Sequence, residues 1–363
     1  MKTKLVYVLT CAPQDTYIEQ ALMAVWSARY HNPDAHIVLL TDDLTDKLFI
    51  GKRAEILDYI SEKIVVPFAA EKNMHYRSRW LKTSVRQLIK GDYLFIDCDT
   101  ITTCDLSHIE QIDADIAMCR DENVNIEDED YAAAKPMIDN CAQIGFDVTK
   151  EKYYFNSGVM YVRDTERTHK LYEQWHELWQ DGVSKGINLD QPTFAKANYE
   201  MGHPVKLLED KWNCIVQSQI AEVYSAYILH FWHSVSFLYS DRLMHYIKGN
   251  GLTDFVKYYI LHPTYTFLPP DNRVFYYALK DYASFFRILK YTIKDYADQI
   301  DSTCTDFNLS MRSNGVIRWM LNRNMYRVVS CLIVFSKWYR VKLSRKYIHY
   351  TNYYARRDEN ILK

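Results

Sequence analysis

Four apolar or aromatic residues at positions 93–96 run directly into Asp97-Cys98-Asp99, and this stretch limits the fold more than any other. The apolar run predicts a buried strand that ends at the two carboxylates. If the extended conformation continues, both carboxylates leave the same side of the backbone, because side chains alternate along a strand. Such a pair suits a hard divalent cation that carries phosphates. The alternative is a polar loop that merely follows a strand.

Strands and helices alternate in the first part of the chain. Short apolar runs at 4–10, 36–40 and 63–66 predict strands, and the spacing of apolar residues over 16–30 predicts a helix. The alternation predicts an α/β fold with a mostly parallel, Rossmann-like sheet flanked by helices. Ligands bind such sheets at the carboxyl ends of the strands. Neither a Gly-rich dinucleotide loop nor a P-loop motif is present, so a metal would have to hold any phosphates.

Two basic residues precede the Asp97 strand on a predicted helix over 74–90. Arg79 and Lys82 are three residues apart and therefore share a helix face. They are candidates for contact with a phosphate or a sugar near the strand end. A solvated basic helix face is the equally weighted alternative.

Polar residues interrupt the apolar pattern again downstream. Asn156-Ser157-Gly158 interrupts an apolar strand over 153–162, and a glycine there often marks close approach of a ligand or another backbone. Asp190 with Pro192 suits the start of a helix, whereas Gln191 has no such structural explanation. His230 ends an apolar run and, taken alone, fits a core histidine. The acidic stretch 120–130 predicts a mobile loop, either solvated surface or a lid.

Taken together, these segments resemble the GT-A class of nucleotide-sugar glycosyltransferases, most closely glycosyltransferase family 8. The resemblance covers roughly 4–233 and rests on five weak motifs in the family's order: Asp-x-Asp at 97–99, Asn-x-Gly at 156–158, Asp-Gln at 190–191, Trp-Asn at 212–213 and a strand ending in His230.

The resemblance implies a set of residue roles. Asp97, Asp99 and His230 would bind a divalent metal, Mn²⁺ or Mg²⁺, that bridges the two phosphates of a sugar nucleotide, with a UDP-sugar favoured. Gln191 and Asp190 would be the catalytic residues, Gln191 on the reacting face of the anomeric carbon and Asp190 at the sugar hydroxyls, and retention of configuration by a front-face mechanism is implied. The implied donor-binding residues are Thr10, Ala12, Thr41, Asp42, Arg79, Lys82, Asn156, Gly158 and His233.

One departure from the family follows the histidine. Where the family usually has a glycine and then Lys-Pro-Trp, this chain has Phe231-Trp232-His233, so the lysine that would hold the leaving phosphate is missing. His233 and Lys82 are the candidate replacements. Whether His230 or His233 completes the metal site stays open.

The chain has 363 residues and predicts a transferase domain over 1–250 followed by an aromatic-rich, basic helical region over 251–363. Residues 311–363 contain 12 Lys or Arg and two acidic residues, whereas the preceding part is acidic. An apolar run at 328–335 among these basic residues predicts peripheral contact with an anionic membrane, or else a self-packed helical domain. With no spanning segment or signal peptide, a cytoplasmic location is expected, including the inner face of the cytoplasmic membrane.

The predicted activity is transfer of a sugar to a glycan or lipid-linked glycan acceptor. The sequence also allows two alternatives: a sugar nucleotidyltransferase, and a catalytically inactive protein of the same fold that binds a glycan or a partner. The acidic body and the lack of a recognised module argue against nucleic-acid binding.

Overall fold

The structure is a computed structural model that describes residues 1–69, 71–123, 125–127, 134–216, 225–231, 237–239 and 241–263. His233 and the basic segment 311–363 lie outside the described residues, so the predictions made for them stay predictions.

The strands of the described part are β1 (Lys4–Leu9), β2 (Ile37–Asp42), β3 (Glu62–Val66), β4 (Tyr93–Ile96), β5 (Thr100–Thr102), β6 (Ile116–Arg120), β7 (Phe155–Val162), β8 (Val205–Leu207), β9 (Cys214–Ile215) and β10 (Ile228–His230). Its α-helices are α1 (Tyr17–His31), α2 (Asp43–Asp46), α3 (Met74–Thr83), α4 (Val85–Leu88), α5 (Ala134–Gln143), α6 (Glu166–Ser184), α7 (Gln191–Glu200), α8 (Asp241–Asn250) and α9 (Asp254–Leu261). The predicted helix over 74–90 is divided at Ser84 into α3 and α4.

Seven strands form the central sheet in the order β3-β2-β1-β4-β7-β6-β8. β3, β2, β1 and β4 are parallel, β7 is antiparallel to both of its neighbours, and β6 is parallel to β8. The predicted α/β fold with a mostly parallel sheet flanked by helices is therefore confirmed.

The sheet is covered on both faces, as the alternation along β1 requires. Leu5, Tyr7 and Leu9 pack into a core with α1, α8 and α9, whereas Val6 packs on the opposite face with α3, α4, α6 and α7. Because α1 lies between the sheet and these C-terminal helices, residues 21–28 are buried continuously rather than along one stripe.

A smaller sheet, in the order β5-β10-β9, lies beside the central one. The chain leaves β4 in the central sheet and enters β5 in the smaller sheet after only three residues, 97–99. The two predicted carboxylates therefore lie where the chain crosses from one sheet to the other.

The predicted strand over 153–162 is confirmed as β7, which runs without a break through 156–158; its pairing with β6 moves register between Met118 and Arg120. The predicted mobile loop over 120–130 begins with a buried 3₁₀ turn, Asp121–Asn123, whose residues are 2–7% exposed, so solvated surface was wrong for this turn; residues 124 and 128–130 lie outside the described residues. This turn is buried because it packs under β7 and β9.

The predicted domain boundary at residue 250 falls within a packed region. Leu252, Val256 and Ile260 are at most 5% exposed and belong to the same hydrophobic core as α1. Among the described residues, no helix is both long and apolar enough to cross a membrane.

Candidate active site

The crossover between the sheets positions Asp97 and Asp99. β4 ends at Ile96, the backbone N–H of Asp97 donates to the Gly158 carbonyl at 2.7 Å, and the chain then bends until β5 begins at Thr100. The strand does not continue through the two carboxylates, so an extended conformation does not bring them together. The bend does so instead.

β10 brings His230 to the same point. His230 pairs with Thr100 across the antiparallel β5–β10 ladder, and the next backbone N–H, of Phe231, donates to the Asp99 carbonyl at 2.9 Å. The His230 Nε2 lies 3.2 Å from Asp99 Oδ1. One ligand atom from each of Asp97, Asp99 and His230 lies within 4.8 Å of the others. The fold thus assembles the three residues that the family resemblance implies.

These three side chains fit a divalent metal in their chemistry. Two carboxylates and an imidazole offer oxygen and nitrogen donors, a mixed set that suits Mn²⁺ better than an all-oxygen site would. His230 is 4% exposed, so its ring is held in place by the fold.

The charges in this cluster shift one another's pKa values. Burial, together with the neighbouring Asp99 charge, raises the pKa of Asp97 despite Lys82. Burial opposes ionisation of Asp99 as well, but its contact with His230 lowers the pKa of Asp99 below the ordinary value. Burial likewise disfavours the charged imidazole, yet Asp99 raises the pKa of His230. Asp99 and His230 therefore stabilise each other as an ion pair when no metal is bound.

Lys82 and Arg79 bridge this cluster to Asp190. The Lys82 Nζ lies 3.1 Å from both oxygens of Asp97 and 3.5 Å from Asp190 Oδ2, and the Arg79 Nε lies 3.0 Å from Asp190 Oδ1. The Lys82 side chain is only 4% exposed. The alternative of a solvated basic helix face is therefore wrong, because both cations turn inward to buried carboxylates.

Asp190 occupies the N-cap position of α7, but its side chain makes no cap hydrogen bond. It accepts instead from the Ser157 hydroxyl at 2.7 Å and pairs with the two cations. Burial would raise the pKa of Asp190, but the charges of Lys82 and Arg79 hold it well below its usual range. The helix-cap interpretation of Asp190 was therefore wrong for its carboxylate.

Replacing Asp190 with alanine is expected to lower the free energy of unfolding by about 3 kcal/mol or more, because it leaves buried Lys82 without one of its carboxylates. Chemical denaturation measures the change. Asp181→Ala is the matched control, since Asp181 is half exposed and, within the described part of the chain, forms an ion pair only with Lys185 one helix turn away; its effect is expected to stay within about 0.5 kcal/mol. Equal effects of the two substitutions would contradict the buried pairing.

A hydrogen-bonded chain of polar side chains runs across the site from His230 to Gln191. The His230 Nδ1 lies 2.9 Å from Asn213 Oδ1, and Asn213 Nδ2 donates to Asn156 Oδ1 at 2.9 Å. Asn156 Nδ2 and Gln191 Nε2 both donate to Asp121 Oδ1, at 2.8 and 3.1 Å. The predicted metal ligand and the predicted catalytic amide thus belong to one network.

Sequence reasoning missed three members of this site. Asp121 follows β6 directly, so the rule that ligands meet at strand ends would have identified it had the acidic stretch not been assigned to a surface loop. Asn213 belongs to the Trp-Asn motif but received no role. Ser157 had no sequence signal, because its partner Asp190 lies 33 residues away and meets it only in the fold.

The glycine of the Asn-x-Gly motif has a specific reason. A Cβ at Gly158 would lie 2.4 Å from His230 Cε1 and 2.8 Å from Asn156 Oδ1. In this structure the close approach is made by an imidazole ring, whereas the sequence suggested a ligand or another backbone.

The other predicted donor-binding residues lie at the carboxyl ends of β1 and β2. Thr10 Oγ1 donates to the Met74 carbonyl, and the Ala12 N–H donates to Asp15 Oδ2. Thr41 Oγ1 donates to the Leu9 carbonyl, while the fully buried Asp42 caps α2 and pairs with Arg77 at 3.1 Å. Their contact with a nucleoside stays a prediction.

Comparison with models of known protein families finds one family that matches this chain. A model of the nucleotide-diphospho-sugar transferase family matches residues 30–274. No curated protein sequence matches the chain significantly.

Solved structures of similar architecture include the galactosyltransferase LgtC in complex with donor and acceptor sugar analogs, with 14% identity over 70% of this chain and 99% of that chain and a TM-score of 0.48. GlyE, a glycosyltransferase in Streptococcus pneumoniae, has 18% identity over 73% of this chain and 64% of its own, with a TM-score of 0.45. Mouse xyloside xylosyltransferase 1 in its apo form has 16% identity over 63% and 97%, with a TM-score of 0.40. Because the family model spans about two thirds of the sequence, the chain belongs to the nucleotide-diphospho-sugar transferases.

Proposed function

We propose that this chain transfers a sugar from a nucleoside diphosphate donor, with a UDP-sugar favoured, to a glycan or lipid-linked glycan acceptor. The reaction depends on Mn²⁺, or on Mg²⁺, held by Asp97, Asp99 and His230. The observation that carries the proposal is the convergence of these three side chains at one sheet crossover, beside two buried or half-buried cations and Asp190.

Charge complementarity supports a diphosphate as the leaving group. When bound, the metal supplies positive charge that stabilises the negative charge developing on the leaving diphosphate. Lys82 and Arg79 add fixed positive charge beside the carboxylates and are proposed to contact the donor phosphates or sugar. Since the family's lysine after the histidine is absent, Lys82 or His233 is proposed to hold the phosphate in its place.

The sugar is proposed to lie between Asp190, Asn156 and Gln191. Gln191 Nε2 donates to Asp121 Oδ1 and to the Phe155 carbonyl at 3.2 Å, so both amide hydrogens have acceptors. This leaves Gln191 Oε1 available to face the anomeric carbon. A neutral amide is a weak nucleophile, so we favour retention by a front-face mechanism. The acceptor oxygen attacks from the side that the phosphate leaves, and the departing phosphate takes the acceptor's proton.

Titration of a panel of nucleotide sugars into the protein, with and without Mn²⁺, tests this function. Metal-dependent binding of one donor is expected, and the absence of any metal-dependent donor binding would contradict the proposal. The anomeric configuration of the product, measured by proton NMR, then distinguishes retention from inversion. Donor cleavage without transfer to any saccharide would point to a different acceptor class.

The lipid-linked acceptor and a peripheral membrane location are proposed from the charge of the sequence alone. The 12 basic residues of 311–363 would attract anionic lipid. The full-length chain is expected to sediment with anionic vesicles, and a chain truncated before Met311 is expected to stay in the supernatant. A truncated chain that still sediments with the vesicles would rule out this anchor.

A further inference from the structure

The direction of each hydrogen bond in the chain from His230 to Gln191 is decided by two groups at its middle. The backbone N–H of Gly158 is only a donor, and it donates to Asn156 Oδ1 at 2.8 Å. Asp121 Oδ1 accepts hydrogen bonds from two amides, from Asn156 Nδ2 at 2.8 Å and from Gln191 Nε2 at 3.1 Å. Flipping the Asn156 amide would place its NH₂ against the Gly158 N–H and its oxygen against Asp121. The Asn156 amide therefore has one allowed orientation.

This orientation passes on to Asn213. Asn156 Oδ1 also accepts from Asn213 Nδ2 at 2.9 Å, so a flipped Asn213 would set two oxygens against each other. Asn213 Oδ1 must therefore face the His230 ring, where it lies 2.9 Å from Nδ1. An amide oxygen is only an acceptor, so Nδ1 of His230 must carry the hydrogen. In the ion pair with Asp99 the ring also carries a hydrogen on Nε2; when the ring becomes neutral, the hydrogen on Nδ1 stays with Asn213 and the lone pair is on Nε2, which faces Asp99.

Burial makes this constraint effective. Asn213 is 0% exposed, and the side chains of Asn156, Asp121 and His230 are all under 9% exposed. Each unmatched pair would leave a buried polar group without its hydrogen bond, which is unfavourable. Because these side chains are buried, bulk water cannot replace the missing hydrogen-bond partner.

We propose that Asn213 is a positioning residue that sets the tautomer of His230, so that Nε2 is free to bind the metal. Gly158 and Asp121 fix the orientation of Asn213 through Asn156. The metal-binding part of this inference rests on the proposed function, whereas the tautomer does not depend on any bound metal. The ring has two acceptors beside it, Asn213 Oδ1 and Asp99 Oδ1. Without Asn213 only Asp99 Oδ1 is left of the two, and this oxygen favours a hydrogen on Nε2. A hydrogen on Nε2 opposes metal binding.

Mn²⁺ titration of purified variants, without donor, tests the metal part. Asn213→Ala is expected to bind Mn²⁺ about 10- to 100-fold more weakly than the wild type, as is typical when the partner of a ligating histidine is lost. Asn213→Asp keeps an oxygen facing Nδ1–H but sets its second oxygen against Asn156 Oδ1, so it is expected to bind Mn²⁺ more tightly than Asn213→Ala while unfolding at a lower temperature than the wild type. Asn198→Ala is the matched control, since Asn198 is also buried, at 3% exposed, and its side-chain oxygen accepts from the Val205 backbone N–H outside this network. Its Mn²⁺ affinity is expected to be unchanged.

Nitrogen-15 NMR of the histidine rings tests the tautomer directly. In the metal-free wild type, at a pH where the ring is neutral, His230 is expected to carry its hydrogen on Nδ1, and in Asn213→Ala on Nε2. A wild-type ring protonated on Nε2 would overturn the proposal even if no variant folds, and so would wild-type Mn²⁺ affinity in Asn213→Ala. A wild type with the expected tautomer that binds no Mn²⁺ would instead contradict the proposed function and leave the tautomer assignment standing.

Discussion

Asp99→Ala is expected to abolish both sugar transfer and donor hydrolysis while the protein remains folded. The substitution removes one of the three proposed metal ligands and the carboxylate that pairs with His230 at 3.2 Å. Because a metal ion contributes several kcal/mol to stabilising charge in a transition state, we expect the rate to fall by at least about 10³-fold. A loss of that size corresponds to about 4 kcal/mol in the activation free energy. Steady-state assays with the donor identified by titration measure the effect.

Survival of the fold is expected because Asp99 lies at the bend between β4 and β5 with its side chain 28% exposed. Asp113→Ala is the matched control, since the Asp113 side chain is 95% exposed and lies outside the site. It is expected to retain wild-type rates, and both variants are expected to retain the wild-type circular dichroism spectrum. An active Asp99→Ala enzyme would remove the metal role assigned to this residue.

Gly158→Ala is expected to weaken Mn²⁺ binding sharply by displacing His230. The added Cβ would lie 2.4 Å from His230 Cε1, a separation that real atoms do not tolerate. The Gly158 carbonyl accepts from the Asp97 N–H at 2.7 Å and the next residue, Val159, pairs with Ile96 of β4, so the backbone has little freedom to move away. The ring must then move instead, together with its bond to Asn213. Overpacking of this kind costs about 1–3 kcal/mol of stability, and thermal unfolding with Mn²⁺ titration measures both effects.

Gly249→Ala separates this local effect from a general response to replacing glycine. Gly249 lies in α8, and a Cβ there meets nothing within 4 Å. The substitution is expected to leave Mn²⁺ affinity unchanged and to stabilise the helix by up to about 1 kcal/mol, because alanine has the higher helix propensity. Unchanged Mn²⁺ affinity in Gly158→Ala would show that His230 does not need this space.

Much of the fold was predictable from the sequence because its signals are local. Apolar runs of four to six residues between polar turns identify β1, β2 and β4, and strand-helix alternation is enough to predict a mostly parallel sheet. Asp97 and Asp99 could be singled out for the same reason, since they directly follow one of these runs.

Tertiary structure alone decided how the candidate site is assembled. The register of β10 against β5 brings His230 to Asp99 across 131 residues of sequence, and no local pattern encodes that pairing. In the sequence, Lys82 and Arg79 fit a solvated helix face as well as they fit the site. The tertiary structure decides between the two, because it places the buried Asp190 carboxylate beside both side chains. The tautomer of His230 likewise depends on Asn213, Asn156 and Asp121, which come from three separate elements. Sequence patterns report which side a residue faces, because that depends on its neighbours along the chain. The partner that it meets there depends on long-range packing, which only the folded chain specifies.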